Sequence, residues 1–181
     1  MKAFALLLAL SLVPALPAQL SRYELVKPTT PEADAAPNNP DVPEGYAVSG
    51  QFQRVVVFRF KYQTDLLAGI ESLVAKEGIR NAVILSGIGS VRNYQIHSVS
   101  NREFPSKNVF LEDRGAPADI ISVNGYVIDG RLHAHLTLTN GEKAFGGHLE
   151  PNTNVFTFAI ITLGVFDDSV DLSRVDDKTY R

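Results

Sequence analysis

The C-terminal half of the chain contains a strand of strictly alternating character between two tight-turn signals. Asp129-Gly130 and Asn140-Gly141 favour two-residue hairpin loops, because both central residues of a type I′ turn need a positive φ. Between them, residues 131–139 alternate polar and apolar side chains, which is typical of a strand with one face on a core and the other in solvent. The pattern predicts three consecutive antiparallel strands.

Three of the four histidines lie in these strands, His133 and His135 on one strand and His148 on the next. If Asn140 and Gly141 form the loop, the numbers of facing residues add to 281, so that His133 lies opposite His148 and His135 opposite Gly146. Since alternate strand residues share a face, the three imidazoles are predicted to point to the same side. Gly146 and the glycine after it indicate the close approach of a ligand or of another backbone.

Three imidazole nitrogens on one polar face can bind a divalent cation. Zinc is the first candidate, with nitrogens at about 2.1 Å and a fourth position open to water. Iron, manganese and nickel also accept imidazole. The alternative is a histidine-rich, solvated sheet face without metal. We favour the metal, because cross-strand histidines without one repel each other once they are protonated.

The first turn brings further polar groups to the same face. If Asp129 and Gly130 form the loop, the residue numbers of each facing pair add to 259. Tyr126 then lies opposite His133, Asn124 opposite His135 and Ser122 opposite Thr137. Such groups can orient ligand histidines or bind a small molecule. The pocket candidates are Ser122, Asn124, Tyr126 and Asp119, the last of which could instead cap the start of its strand.

Two other residues have competing interpretations. Glu150 follows His148 on the same face and is a candidate general base, but in the predicted register it faces Arg131, and we favour a cross-strand ion pair. His97 lies far away in the sequence, and we favour a surface or core histidine over a fourth metal ligand. Whether the protein is an enzyme is left open, because a fold by itself does not define a reaction.

The N-terminal residues have the pattern of a targeting signal. Residues 1–18 combine Lys2, an apolar run and small residues before Gln19, which predicts a secretory signal peptide and export to the periplasm or the extracellular space. The alternative is an apolar N-terminal helix of the domain. The run is shorter than the roughly 20 residues that span a bilayer, and no transmembrane segment is expected.

The remainder divides into a linker, one domain and a tail. Residues 19–47 contain five prolines and predict an extended linker. Residues 48–168 predict one domain, and residues 169–181 an acidic, solvated tail. The chain has no cysteine, so an exported form must be held together by its core, by an oligomer interface or by metal.

The domain is predicted to be α+β, with a mostly antiparallel sheet and one main amphipathic helix. Apolar residues repeat at the helical period after Thr64, the expected N-cap, and Gly78 is expected to end the helix. The Gly87-Ile-Gly89 segment lacks the Lys-Ser/Thr and the helix of a phosphate loop, and we favour a bend or bulge in a sheet. Residues 101–118 predict a long loop with a short strand near residues 109–111. The other predicted strands are 53–62, 81–85, 91–99, 120–128, 133–139, 144–149 and 155–165.

Several segments together resemble the PPC domain, which plants and prokaryotes share. They are the helix followed by residues 82–91 (AVILSGIGSV), residues 119–125 (DIISVNG), residues 132–136 (LHAHL) and residues 146–149 (GGHL). The resemblance implies an α+β fold with a central antiparallel sheet and a homotrimer. For prokaryotic members with these histidines it also implies a bound metal, carried over here to His133, His135 and His148.

Plant members of the PPC family carry AT-hooks and bind DNA, but nucleic acid is not an expected partner here. The chain has no Arg-Gly-Arg-Pro hook and a formal net charge of −3, whereas nucleic-acid binders usually show a basic face. We therefore predict an exported, metal-binding trimer that binds or hydrolyses a small ligand. The alternatives are a non-enzymatic interaction module and, by family analogy, a DNA-binding protein.

Overall fold

The computed structural model describes residues 20–25, 39–102 and 106–176. The predicted signal peptide, much of the predicted linker and the last five residues of the predicted tail lie outside these ranges. No helix in the described ranges is long and apolar enough to cross a membrane.

The described residues form one helix and eight strands, and every strand pairing is antiparallel. The predicted fold class, α+β with a mostly antiparallel sheet, is confirmed. In chain order the elements are β1 (Leu20–Leu25), β2 (Phe52–Lys61), α1 (Leu66–Lys76), β3 (Ala82–Val99), β4 (Lys107–Asp113), β5 (Ala118–Ile128), β6 (Arg131–Thr139), β7 (Ala144–Leu149) and β8 (Asn154–Phe166).

The helix is capped one residue later than the sequence predicts. Asp65, not Thr64, is the N-cap, and its carboxylate accepts a hydrogen bond from the Ala68 backbone N–H at 3.0 Å. The chain leaves the helix through Gly78 at φ 63°, a left-handed conformation that glycine adopts without strain. The buried stripe of α1 packs into the main core and comprises Leu66, Ile70 and Val74.

Strand β3 is one long strand where the sequence predicts two segments joined by a bend. Its pairing with β8 is irregular around Ser86 and again between Gly89 and Val91. At Gly89 φ is 148°, and a β-carbon there would lie 2.3 Å from the carbonyl oxygen of Phe158. The glycine-rich segment is therefore a bulged strand, as favoured above, and not a phosphate loop.

The length of β3 lets the sheet close on itself. Its first half pairs with β5 and β8, and its second half pairs with β4 and β7. Because β5 pairs with β6 and β6 with β7, these four strands form a closed ring of hydrogen-bonded neighbours. Alternate residues of the ring enter the apolar core, among them Ile96, Val123, Leu136, Leu138 and Leu149, and the intervening residues face outwards.

Three segments differ from the prediction. Strand β4 includes the short strand predicted near residues 109–111 but is longer than predicted, and β1 pairs with it although residues 20–25 were expected in an extended linker. The start of the predicted solvated tail is also packed, because Val170 and Leu172 are 3% and 4% exposed and lie against Ile128. Alternation and turn signals do not reveal these long-range contacts.

Candidate metal centre

The β5–β6 hairpin has the predicted register. Asp129 and Gly130 have φ of 53° and 77°, as a type I′ turn requires. Tyr126 lies opposite His133, and Asn124 lies opposite His135. The turn dipeptide was therefore sufficient to align these two strands from the turn to the Ser122–Thr137 pair, beyond which an irregularity between Ile120 and Ser122 shifts the register by one residue.

The β6–β7 register differs from the prediction by two residues. His135, not His133, lies opposite His148. The loop is longer than two residues because the Asn140 side chain accepts hydrogen bonds from the backbone N–H groups of Glu142 and Lys143, each at 3.2 Å. A shift of two residues keeps every side chain on its own face, so the histidines still share one side.

The structure brings the three predicted ligand histidines together. One ring nitrogen from each of His133, His135 and His148 lies within 4.8 Å of the other two. The His148 ring centroid is 5.1 Å from each of the other two ring centroids. Nitrogens bound to one tetrahedral zinc at about 2.1 Å lie about 3.4 Å apart. Small side-chain rotations therefore suffice for these rings to share an ion.

His97, which sequence reasoning set apart from the site, lies beside it. Strand β3 pairs with β7 so that His97 is opposite His148, with ring centroids 4.6 Å apart. The close approach depends on Gly147, where a β-carbon would lie 2.4 Å from the His97 carbonyl oxygen. The Gly-Gly pair was the available signal, but it did not identify which backbone approaches.

Glu150 contacts His97 and not Arg131. Its Oε1 lies 2.5 Å from His97 Nδ1, and His97, His148 and Glu150 form a second group with ligand atoms within 4.8 Å of one another. Arg131 instead lies 3.6 Å from Asp176. The expected Arg131–Glu150 ion pair is wrong because it assumed the shorter loop.

The environment favours neutral imidazoles at the centre of the cluster. Burial, reinforced by the positive charges of the three other histidines, lowers the pKa of His148 to about 4, although the Glu150 carboxylate opposes the change. Burial also lowers the pKa of His135, and His133 and His97 contribute to this. Since metal ligands must be deprotonated, this donor set fits a cation at neutral pH.

A cavity of about 390 Å³ adjoins the cluster. Of the four pocket candidates, Asn124 and Tyr126 line it, whereas Ser122 accepts a hydrogen bond from Asn124 Nδ2 at 3.2 Å. Asp119 lies opposite Thr139, at the end of β6 remote from His133. The lining residues are Asn124, Gly125, Tyr126, Ile128, His133, His135, Val175 and Asp176.

The fold and the histidine-bearing outer face define an antiparallel α+β domain of a known type. A sequence model of the Plants and Prokaryotes Conserved (PCC) domain, the domain abbreviated PPC above, matches residues 47–167. The chain belongs to this family, and the resemblance described from the sequence is confirmed.

Two solved structures share this fold with substantial coverage. A plant- and prokaryote-conserved protein of Pyrococcus horikoshii is 30% identical with a TM-score of 0.52, and the match covers 68% of this chain and 84% of that one. A metal-containing protein of Archaeoglobus fulgidus is 25% identical with a TM-score of 0.56, covering 67% of this chain and 86% of that one.

A third solved structure, from Ralstonia eutropha JMP134, bears a name that proposes DNA binding. It is 20% identical with a TM-score of 0.50, covering 61% of this chain and 77% of that one. At this identity the match supports a shared fold alone. No curated protein matches the chain significantly.

Proposed function

We propose that this PCC-domain protein binds one divalent cation, zinc in the first instance, through His133, His135 and His148. The observation that carries the proposal is the convergence of three imidazoles from two paired strands, with ligand nitrogens within 4.8 Å of one another. The lowered pKa values of His135 and His148 favour the neutral ligand form. The metal-containing relative from Archaeoglobus fulgidus is consistent with such a role for this fold.

The site is suited to a small organic ligand as well as to the ion. Three protein nitrogens leave one position of a tetrahedral cation open, and the cavity beside His133 and His135 has apolar walls from Ile128 and Val175. Zinc would supply a Lewis acid and a bound water of lowered pKa at that position. We therefore propose a ligand with an apolar body and a metal-binding oxygen, with hydrolysis as the reaction class to be tested.

Metal analysis of the purified protein tests the first part. We expect about one zinc per chain after zinc loading and dialysis, and loss of that zinc in His133→Ala and His148→Ala, because two imidazoles hold zinc poorly. Thr137→Ala, on the same strand and face, is the matched control. Circular dichroism shows whether each variant is folded. Wild-type protein that retains no zinc, or folded histidine variants that keep it, would contradict the proposal.

We also propose that the protein is a homotrimer, as the resemblance implies. The outward face of β2, β3 and β8 carries apolar side chains that are more than a third exposed, which is unusual for a monomer surface when they are contiguous. The strands that carry these side chains are adjacent, since β8 lies between β2 and β3, with Val57 opposite Thr162 and Ile88 opposite Ile160. The exposed side chains are Val55, Val57, Leu85, Ile88, Phe156 and Phe158.

Export and partner choice complete the proposal. Residues 1–18 direct the chain out of the cytoplasm, and N-terminal sequencing of protein recovered from the periplasm or medium should begin near Gln19.

Nucleic acid is not the proposed partner, because the net charge is −3. Binding to duplex DNA at moderate salt that falls steeply as salt rises would contradict this.

A further inference from the structure

The chain continues past the family-matched residues and folds back onto the site. The match ends at residue 167, yet Val170 and Leu172 are buried against Ile128. The buried Asn81 side chain donates to the Val170 carbonyl at 2.8 Å and accepts from the Asp129 backbone N–H at 3.0 Å. Asn81 thus ties this C-terminal segment to the turn of the β5–β6 hairpin, whose second strand carries His133.

Local turns then bring Asp176 to the histidines. The Asp171 carboxylate accepts from the Ser173 backbone N–H at 2.8 Å, and the Val175 N–H donates to the Leu172 carbonyl at 2.9 Å. These turns place Asp176 Oδ2 at 3.5 Å from His133 Nδ1. The Asp176 side chain is 22% exposed, so solvent only partly screens the contact.

We propose that Asp176 is a positioning residue for the metal centre. Its carboxylate accepts a hydrogen bond from His133 Nδ1–H, which leaves the other ring nitrogen, Nε2, free to bind the cation with His135 and His148. A carboxylate that orients a ligand histidine in this way typically contributes 10–100-fold to metal affinity. The inference rests on the proposed function, and it assigns to this chain a site component from outside the family-matched residues.

A second histidine–carboxylate pair, His97 with Glu150, lies on the other side of the same cluster. Glu150 Oε1 lies 2.5 Å from His97 Nδ1, so that each side of the histidine cluster has an imidazole held by a carboxylate. The competing explanation for Asp176 is a simple ion pair with Arg131, at 3.6 Å. Arg131 is 70% exposed, and exposed ion pairs contribute little free energy.

Zinc affinity in three single variants tests the inference. Competition with a chromophoric chelator should show about 10–100-fold weaker zinc binding for Asp176→Asn. Asp168→Asn makes the same charge change on the exposed part of the same segment and should leave the affinity unchanged. Arg131→Gln removes the ion pair only and should also leave it unchanged. Wild-type affinity in Asp176→Asn, or an equal loss in Arg131→Gln, would overturn the proposal.

A metal-free measurement separates this inference from the proposed function. Long-range ¹H–¹⁵N NMR at pH 8.5 should show the His133 proton on Nδ1 in wild-type protein and moved towards Nε2 in Asp176→Asn, a change that a purely structural role would not produce. If the wild-type protein binds no zinc but shows this tautomer change, the proposed function fails and the pairing stands. A wild-type proton on Nε2 overturns the inference in either case.

Discussion

At the scale of single residues, His148 has the central position in the site. It belongs both to the group with His133 and His135 and to the group with His97 and Glu150. Its neighbours on either side are the three other histidines, so a proton on His148 meets both burial and like charge. The same features favour the neutral ring, which is the form that metal binding would require, and weaken His148 as a base.

The shifted pKa of His148 predicts how the stability of the metal-free protein depends on pH. The pKa falls from 6.5 to about 4 on folding, so the unfolded chain binds a proton between these values that the folded chain does not. The free energy of unfolding should therefore decrease as pH falls from about 6.5 to about 4 and level off below that. Urea titrations of metal-free protein at several pH values between 6.5 and 4 measure this free energy of unfolding.

The His148→Gln variant is the control for that pH dependence. Glutamine keeps a polar side chain of similar size but does not titrate, so the free energy of unfolding should change less between pH 6.5 and pH 4. His135, whose pKa is also lowered, accounts for part of the remaining slope. If the free energy of unfolding of His148→Gln depends on pH as steeply as that of the wild-type protein, His148 is not the group that causes the dependence.

At the scale of secondary-structure elements, the β5–β6 hairpin shows why short sequence patterns can predict strand register. Its register depends on two turn residues and on alternation within a few residues on either side, and both are visible in the sequence. The β6–β7 loop shows the limit, because the Asn140 side chain captures two backbone N–H groups and lengthens the loop. The three histidines still share one face, because the register shifts by an even number of residues.

In the same hairpin, the backbones of β5 and β6 lie very close together at Gly125. Gly125 has φ 142°, and a β-carbon there would lie 2.0 Å from the His133 carbonyl oxygen. Gly125→Ala should lower the free energy of unfolding by about 2–4 kcal/mol, since it combines backbone strain with a clash that separates the two strands. Urea denaturation measures the loss.

Gly45→Ala is the matched control for this substitution. A β-carbon at Gly45 meets nothing within 4 Å, so its free energy of unfolding should stay within about 0.5 kcal/mol of the wild-type value. Equal stability of the two variants would mean that β6 moves away from Gly125 at little cost.

At the scale of the whole molecule, a single chain leaves the apolar face of β2, β3 and β8 exposed among the residues that the structure describes. Val57 lies on this face and is 63% exposed. If the protein forms the proposed homotrimer through this face, Val57→Glu should shift it to a monomer, because a buried unpaired carboxylate is costly. Sedimentation velocity measures the shift.

Val99→Glu is the control, since Val99 is 66% exposed on β3 but lies where β3 pairs with β4. It should leave the oligomeric state unchanged. A wild-type protein that sediments as a monomer, or a Val57→Glu variant that remains a trimer, would contradict the assembly proposal.

The sequence by itself determined the strand alternation, the helix, the β5–β6 register and the grouping of His133, His135 and His148 on one face. These depend on turn geometry and on the two-residue period of a strand, which act over a few residues. Only the tertiary structure decided that β3 pairs with β7, which brings His97 to the site and into contact with Glu150, and that the C-terminal segment carries Asp176 to His133. Such contacts join residues far apart in the chain, and the burial of the whole core selects them over every alternative pairing that the local pattern would equally allow.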